Sequence, residues 1–265
     1  MGEMSKFCPL FSSSKGNCTY LSGGGTSLLV DAGISLRQLT AAMARHDLSP
    51  RQLDGILITH EHTDHTRGLS ALLKKYPMPL YASSETLLYL TEKNMLPPGI
   101  SIFEIYTDTI IGAIQVTPFQ TPHDANHSIG FCFHMPDDRK IAIATDLGHI
   151  SETVHDHITG CDLVMLESNY DPHMLDASSY PYALKRRIRG NIGHLSNEAC
   201  ADECLRLIES GTTRLFLAHL SEKNNLPLLA HQVTQSVLQQ ANMKEGTDYL
   251  LNVAPARDHS VLTVF

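Results

Sequence analysis

The sequence predicts an α/β fold of four layers, an αββα sandwich in which two β-sheets face each other with helices outside both. Three observations carry this. Apolar β-type runs alternate with helical periodicities near both ends of the chain, around a β-rich middle. No linker, repeat or low-complexity segment divides the 265 residues, so one domain spanning 1–265 is expected. Candidate metal-binding side chains follow several of the apolar runs, and two sheets sharing one edge would gather them.

In chain order, Cys18 to Leu21 and Thr26 to Val30 read as strands joined through Gly23-Gly24-Gly25, a hairpin signal. Ser35 offers an N-cap to a helix through His46, with Leu36, Leu39 and Met43 on one face. Gly55 to Thr59 reads as a buried strand, followed by a helical pattern (Leu69, Leu72, Leu73) that stops at Pro77. A strand at Pro79 to Ala82 and a helix at Ser84 to Lys93 come next. The β-rich middle comprises Ser101 to Tyr106, Ile110 to Phe119, Ile129 to His134 and Lys140 to Thr145. Leu163 to Leu166 and Leu215 to Ala218 are further strands on either side of a helix from Ser196 to Glu209. A helix at Pro227 to Asn242 and strands at Tyr249 to Val253 and Val261 to Phe265 close the chain.

Composition narrows the function classes. Hydrophobic residues make up 42% and charged residues 18%, which supports a packed core rather than disorder. The formal charge of −8 argues against broad, non-specific nucleic-acid affinity. No run is long enough to span a membrane, so no membrane partner is expected. The six cysteines form no C-x-x-C pair, and Met1 to Leu10 carries no leader signal. Reduced thiols in a cytoplasmic setting are expected.

The densest chemistry lies in Thr59-His60-Glu61-His62-Thr63-Asp64-His65, directly after Ile56-Leu57-Ile58. Imidazoles favour a divalent transition metal, a carboxylate can hold a second, and a strand end aims them together. His123, Asp146 and His219 likewise follow short apolar runs. No cysteine joins this set, so the donors are nitrogen and oxygen, suited to zinc, manganese or iron.

The series Asp31, His60-x-His62-x-Asp64-His65, His123, Asp146, His219 resembles the metallo-β-lactamase superfamily motifs over nearly the whole chain. Phe11-Ser12-Ser13-Ser14-Lys15-Gly16-Asn17-Cys18, Gly193-His194-Leu195-Ser196, and His219-Leu220-Ser221 with Asn224-Asn225 resemble the YycJ/WalJ-type bacterial hydrolases. The resemblance implies a metallo-β-lactamase-like sandwich holding two divalent cations. One would sit on His60, His62 and His123, the other on Asp64, His65 and His219. Asp146 would bridge them, and Asp31 would orient a ligand histidine. His127 competes with His123 for the third motif, and the distance ahead of Gly130-Phe131 favours His123. By similarity to the tRNase Z branch, Glu167 would support His194 as general acid, with Asp64 at the reacting centre. The alternative is a surface glutamate beside a helix-cap neighbour.

Ser14, Lys15, Asn17, Ser196, Asn225 and Arg187 are the candidates for substrate contact. The Ser12 to Asn17 turn either presents backbone N–H groups to phosphate or is a tight turn without a ligand. Lys185, Arg186, Arg187 and Arg189 form a basic run that is either a solvated face or a polyanion contact. Of the other histidines, His155 and His157 read as solvated. His46, His134, His149, His173, His231 and His259 have no partner at ligand spacing.

The implied reaction is phosphodiester hydrolysis by a hydroxide held between two metals, with His194 protonating the leaving oxygen. The resemblance implies a nuclease on DNA, a 5′–3′ exonuclease in the favoured form, with DNA as partner. The stretches between His123 and Asp146 and between Asp146 and His219 are too short for the tRNase Z arm or a β-CASP domain. Two alternatives stay open: a hydrolase of a cyclic phosphodiester or a thioester, as in glyoxalase II, and a non-catalytic regulatory module.

Overall fold

A computed structural model describes residues 4–257 and 260–265; His259 lies outside them. The chain opens with β1 (Lys6–Phe11), a strand whose sequence signal is masked by Pro9. Proline within a run argues against a strand. Here a register shift between Pro9 and Phe11 absorbs it while β1 pairs antiparallel with β2 (Cys18–Gly23). β2 turns at Gly24 and Gly25, both at positive φ, into β3 (Thr26–Val30), completing the expected hairpin.

From β3 the sheet grows by parallel pairing through β4 (Gly55–Leu57), β5 (Leu80–Ala82) and β6 (Ile102–Glu104). Parallel strands need crossovers, and these are helical. α1 (Leu36–Ala44) starts at a capping box formed by Ser35 and Gln38. α2 (Thr63–Thr66) and α3 (Leu69–Lys75) link β4 to β5, and α4 (Ser84–Glu92), capped by Ser83, links β5 to β6.

The single strand expected over Ile110–Phe119 is in fact two, β7 (Thr109–Ile111) and β8 (Ile114–Gln120). Gly112 at φ 59° makes the turn, where a Cβ would strike the Thr26 side chain. β8 pairs antiparallel with β9 (Ile129–His134), and β9 with β10 (Lys140–Ala144). After α5 (Glu152–Ile158), parallel pairing resumes in β11 (Leu163–Glu167). Two short helices, α6 (Pro172–Ala177) and α7 (Tyr182–Ile188), precede α8 (Asn197–Glu209), whose N-cap is Ser196. Then come β12 (Arg214–Ala218), α9 (Pro227–Gln240) and β13 (Leu250–Val253).

The last strand, β14 (Thr263–Val264), is shorter than the expected Val261–Phe265 and returns to the first sheet beside β1. The sheet orders are β14-β1-β2-β3-β4-β5-β6 and β13-β12-β11-β10-β9-β8-β7.

Three buried layers hold the sandwich together. Between the sheets, Phe7, Leu28 and Leu57 meet Phe131, Phe133 and Phe216. Outside the first sheet, Leu39, Met43, Leu69, Leu73 and Leu90 seat α1, α3 and α4. Outside the second, Val154, Ile158, Cys204, Leu207 and Leu238 seat α5, α8 and α9. Each large side chain buried in these layers contributes about 1.5–3 kcal/mol, so the strand ends project from a rigid platform. Among the described residues, no helix is long and apolar enough to cross a membrane.

Candidate metal centre

The first sheet delivers its histidine cluster just past β4. Thr59 is the hub: its N–H and hydroxyl both donate to Asp31 Oδ1, at 2.9 and 3.1 Å. Asp31 Oδ2 accepts from His65 Nδ1 at 2.8 Å, which leaves His65 Nε2 for the cleft. Such a carboxylate fixes both tautomer and ring orientation. Gly33 makes the approach of α2 possible, because a Cβ there would lie 1.6 Å from the Asp64 carbonyl oxygen. That carbonyl accepts from the Asn17 backbone N–H at 2.8 Å.

The second sheet supplies one residue per strand end. His123 follows β8 and anchors through Nδ1 to the Gly193 carbonyl at 3.0 Å. Asp146 follows β10, with Oδ2 3.1 Å from His65 Nε2 and Oδ1 3.6 Å from His123 Nε2. His219 follows β12, with Nδ1 3.3 Å from Asp146 Oδ2 and Nε2 3.9 Å from Asp64 Oδ2. Its backbone is held at both ends: the N–H donates to Ser12 Oγ at 2.8 Å, and the carbonyl accepts from Asn169 Nδ2 at 2.8 Å. Asp31, Asp146 and His219 all adopt left-handed backbone, at φ 62°, 60° and 54°. Such conformations cost about 1–3 kcal/mol each and persist where surroundings enforce them.

His60, His62 and His123 bring their ligand atoms within 4.8 Å of one another, and so do Asp64, His65 and His219. Asp146 groups with His60 and His65 as well as with His219. The residues fit a metal by an independent criterion. His60 Nε2, His123 Nε2, Asp146 Oδ2 and His219 Nδ1 are buried and have no hydrogen-bond partner. Burying such atoms unpaired is costly, and a cation among them removes the cost.

Electrostatics agree. Burial, then the neighbouring His65, pushes the His60 pKa well below its ordinary value, favouring the neutral ring a metal requires. Burial opposes ionisation of Asp146, but His219 and His65 outweigh it and hold its carboxyl well below the usual range. Burial also opposes charge on His65, yet Asp31, Asp146 and Asp64 prevail and raise its pKa well above the ordinary value.

Beside the cluster, His194 Nδ1 lies 2.7 Å from Glu167 Oε1. Glu167, the last residue of β11, is fully buried, and its Oε2 accepts from the Leu147 N–H at 2.8 Å. The reading of Glu167 as a surface residue is thereby excluded. Burial opposes protonation of His194, but the Glu167 charge and hydrogen bond outweigh it, raising the pKa from 6.5 to about 9. The His194 ring stacks on His219 with centroids 5.4 Å apart, at the edge of the cluster.

The substrate-contact candidates divide. Asn17 is buried, its Nδ2 3.0 Å from His65 Nε2 and 3.4 Å from Asp64 Oδ2. Ser14 is exposed on the turn, and Lys15 pairs with Glu222. The phosphate-cradle reading of this turn fails for most of its amides. Those of Ser13, Lys15, Gly16 and Asn17 are committed to Asn17 Oδ1, Ser13 Oγ, Ser13 O and Asp64 O. Ser196 Oγ caps α8 through the Ala199 N–H. Asn225 is buried and its Nδ2 donates to the Ser168 and Asn169 carbonyls and Asn197 Oδ1, so it braces the loop.

In the basic run, Lys185 and Arg189 tie α7 to α6 through Asp176 and its neighbours. Arg187 clamps Asp124, next to His123, and Arg186 is exposed. His127 lies edge-on to Tyr106 and outside the cluster that contains His123. His155 is not simply solvated: its Nδ1 meets the buried Glu203 Oε1 at 2.6 Å, and His157 stacks on Phe119. Ser12, Thr59 and Gly193 stand inside the sequence motifs without a role of their own there, Asn169 stands in none, and all four are positioning residues. They act through backbone groups or across distant loops.

The comparisons fit this geometry. The β-lactamase superfamily domain matches residues 26–220. Exodeoxyribonuclease WalJ of Streptococcus pneumoniae is 37% identical over 248 residues, spanning 92% of both chains. Exodeoxyribonuclease YycJ of Bacillus anthracis is 36% identical over 242 residues, 91% of both. The crystal structure of YhfI from Bacillus subtilis, a metallo-β-lactamase fold protein, superposes with a TM-score of 0.72 at 14% identity. It covers 98% of this chain and 100% of that one, a likeness of fold.

Proposed function

The chain belongs to the β-lactamase superfamily, in the branch of the WalJ and YycJ proteins, and on that premise we propose a metal-dependent exonuclease that hydrolyses phosphodiester bonds in DNA. The observation that carries this is the pairing of the nitrogen-and-oxygen ligand cluster with the buried Glu167–His194 couple at its edge. Metal ligands alone serve many hydrolases. A histidine held protonated beside them serves one whose leaving group needs a proton.

His60, His62 and His123 would hold one divalent cation and Asp64, His65 and His219 the other, with Asp146 between them. Zinc, manganese and iron suit these donors. When bound, the cations supply an activated water and neutralise charge on the phosphoryl oxygens. The chain's own part is positional and protonic. Asp31 and the Gly193 carbonyl hold the His65 and His123 rings with Nε2 free for the cleft. With Nδ1 of His194 committed to Glu167, Nε2 is the atom that delivers a proton to the departing sugar oxygen. Such acid assistance contributes about 10²–10⁴-fold. Arg186 on α7, close in sequence to His194, supplies positive charge for the strand in an otherwise acidic protein, while Arg187 is held by Asp124. The six free cysteines support a reducing, cytoplasmic setting.

A gel assay tests the reading. Purified protein with zinc or manganese is given 5′- and 3′-labelled, single- and double-stranded DNA and RNA, beside Asp64→Ala. Stepwise DNA shortening from the 5′ end by wild type alone is expected. Turnover of a thioester or cyclic nucleotide, with DNA left intact, overturns it.

A further inference from the structure

A pocket of about 390 Å³ lies beside the metal centre, between the turn after β1, the segment after α2 and the loop after β12. Each of those segments also contributes to the centre or its supports. Asn17 ends the turn, Asp64 and His65 lie on α2, and His219 begins the loop, with Ser13 bridging to Leu220. Within this pocket Lys15, Arg67 and Arg257 face a single carboxylate, Glu222, leaving a net charge of plus two. The chain as a whole carries −8, so the local sign is reversed. Glu222 is paired with both Lys15 and Arg257. Arg67 has no carboxylate partner among the described residues, and the Gly33 carbonyl holds its guanidinium at 2.8 Å. A second hollow shares Glu222, Ala256 and Arg257 with the first and is lined by Leu220, Leu226 and Pro227. Its surface is mainly apolar, and Leu226 is 55% exposed.

A cationic pocket opening onto an apolar shelf matches a group with an anionic head and a flat, weakly polar body. We propose that this pair of hollows binds the terminal nucleotide of the substrate strand, with a terminal phosphomonoester in the Lys15–Arg67–Arg257 pocket and the nucleoside on the shelf. The inference rests on the nuclease reading and adds to it the feature that makes such an enzyme act from ends. Charge selects the monoester over an internal phosphodiester. A monoester carries about −1.5 to −2 at neutral pH, close to the charge of the pocket, whereas a diester carries one negative charge. Lys15 and Arg257 exchange Glu222 for phosphate oxygens, and Arg67, whose Nε and Nη2 are held by the Gly33 and Lys15 carbonyls, adds its fixed positive charge and Nη1.

The test compares four single-stranded DNAs that differ only at their ends: 5′-phosphate, 5′-hydroxyl, 3′-phosphate and 3′-hydroxyl. Wild type should degrade one phosphorylated substrate about tenfold faster than its hydroxyl counterpart. The arm that shows the preference identifies the end. Lys15→Gln combined with Arg257→Gln should bring the ratio toward one, and Glu222→Gln should widen it. Melting and metal content of each variant report folding separately. A parallel titration of metal-loaded protein with a thymidine dinucleotide, with and without a terminal phosphate, reads the pocket without cleavage. Equal rates and equal affinities for phosphorylated and plain ends overturn the pocket. A preference that survives the double variant overturns it too. Absence of DNA cleavage together with tighter binding of the phosphorylated dinucleotide would sink the nuclease reading and keep the pocket.

Discussion

The two sheets furnish the candidate metal centre in opposite ways. The first contributes His60, His62, Asp64 and His65 from one turn and a four-residue helix, so half a dozen neighbouring positions carry most of its chemistry. The second contributes His123, Asp146, Glu167 and His219 from the ends of four different strands, β8, β10, β11 and β12. A local cluster depends on one loop. A distributed set depends on the registers β8–β9, β9–β10, β10–β11 and β11–β12 all being right, and therefore on the core beneath them.

The sharpest way to break the contrast is at the residue both halves share. Asp146→Ala removes the carboxylate lying between His65, His123 and His219, and should reduce both activity and bound metal to background. Metal analysis of the purified variant, alongside the DNA assay, checks this; full metal content would contradict the role. His194→Ala, on the distributed side, should lower turnover by about 10²–10⁴-fold while metal content is retained. Asp31→Asn tests the local side. It weakens the hold on the His65 ring and should cost about 10–100-fold in metal affinity, read by competition with a chelating dye.

Glu167→Gln probes the proton rather than the metal. The His194 pKa of about 9 lies above the ordinary 6.5, so its contribution to stability is complete below 6.5 and is lost as pH rises through about 9. Ring NMR of the metal-free protein should show titration near 9 in wild type and at clearly lower pH in Glu167→Gln. The alkaline fall in activity should move the same way; an unmoved titration would contradict the pairing. The smallest effect is expected from His155→Ala, outside the site, where a buried glutamate loses one of its two partners. A stability loss of about 1–3 kcal/mol in denaturant unfolding, with metal content unchanged, is the expected outcome.

The contrast also explains what could be read from the sequence. Candidate ligands packed into Thr59 to His65 announce themselves by density, and strand-end residues by the apolar runs before them. The Ile110–Phe119 run conceals a hairpin because its break is only the pair Gly112-Ala113, set between isoleucines. The return of β14 to β1 is set by tertiary pairing across the length of the chain, which carries no local mark. The supporting role of Ser12, whose hydroxyl meets an amide 207 positions away, is hidden for the same reason, although the residue lies in a recognisable motif. Asn225 looks like a binding residue by type and place, and burial turned it into a brace.

The left-handed backbone at Asp31, Asp146 and His219 has an evolutionary corollary. Glycine fits those torsions without penalty, whereas most other substitutions keep the strain and forfeit the carboxylate or imidazole. A duplicate of this chain released from catalytic duty would gain stability by drifting to glycine at these three places first. Their identity in sister sequences would therefore separate working copies from idle ones before any assay is run.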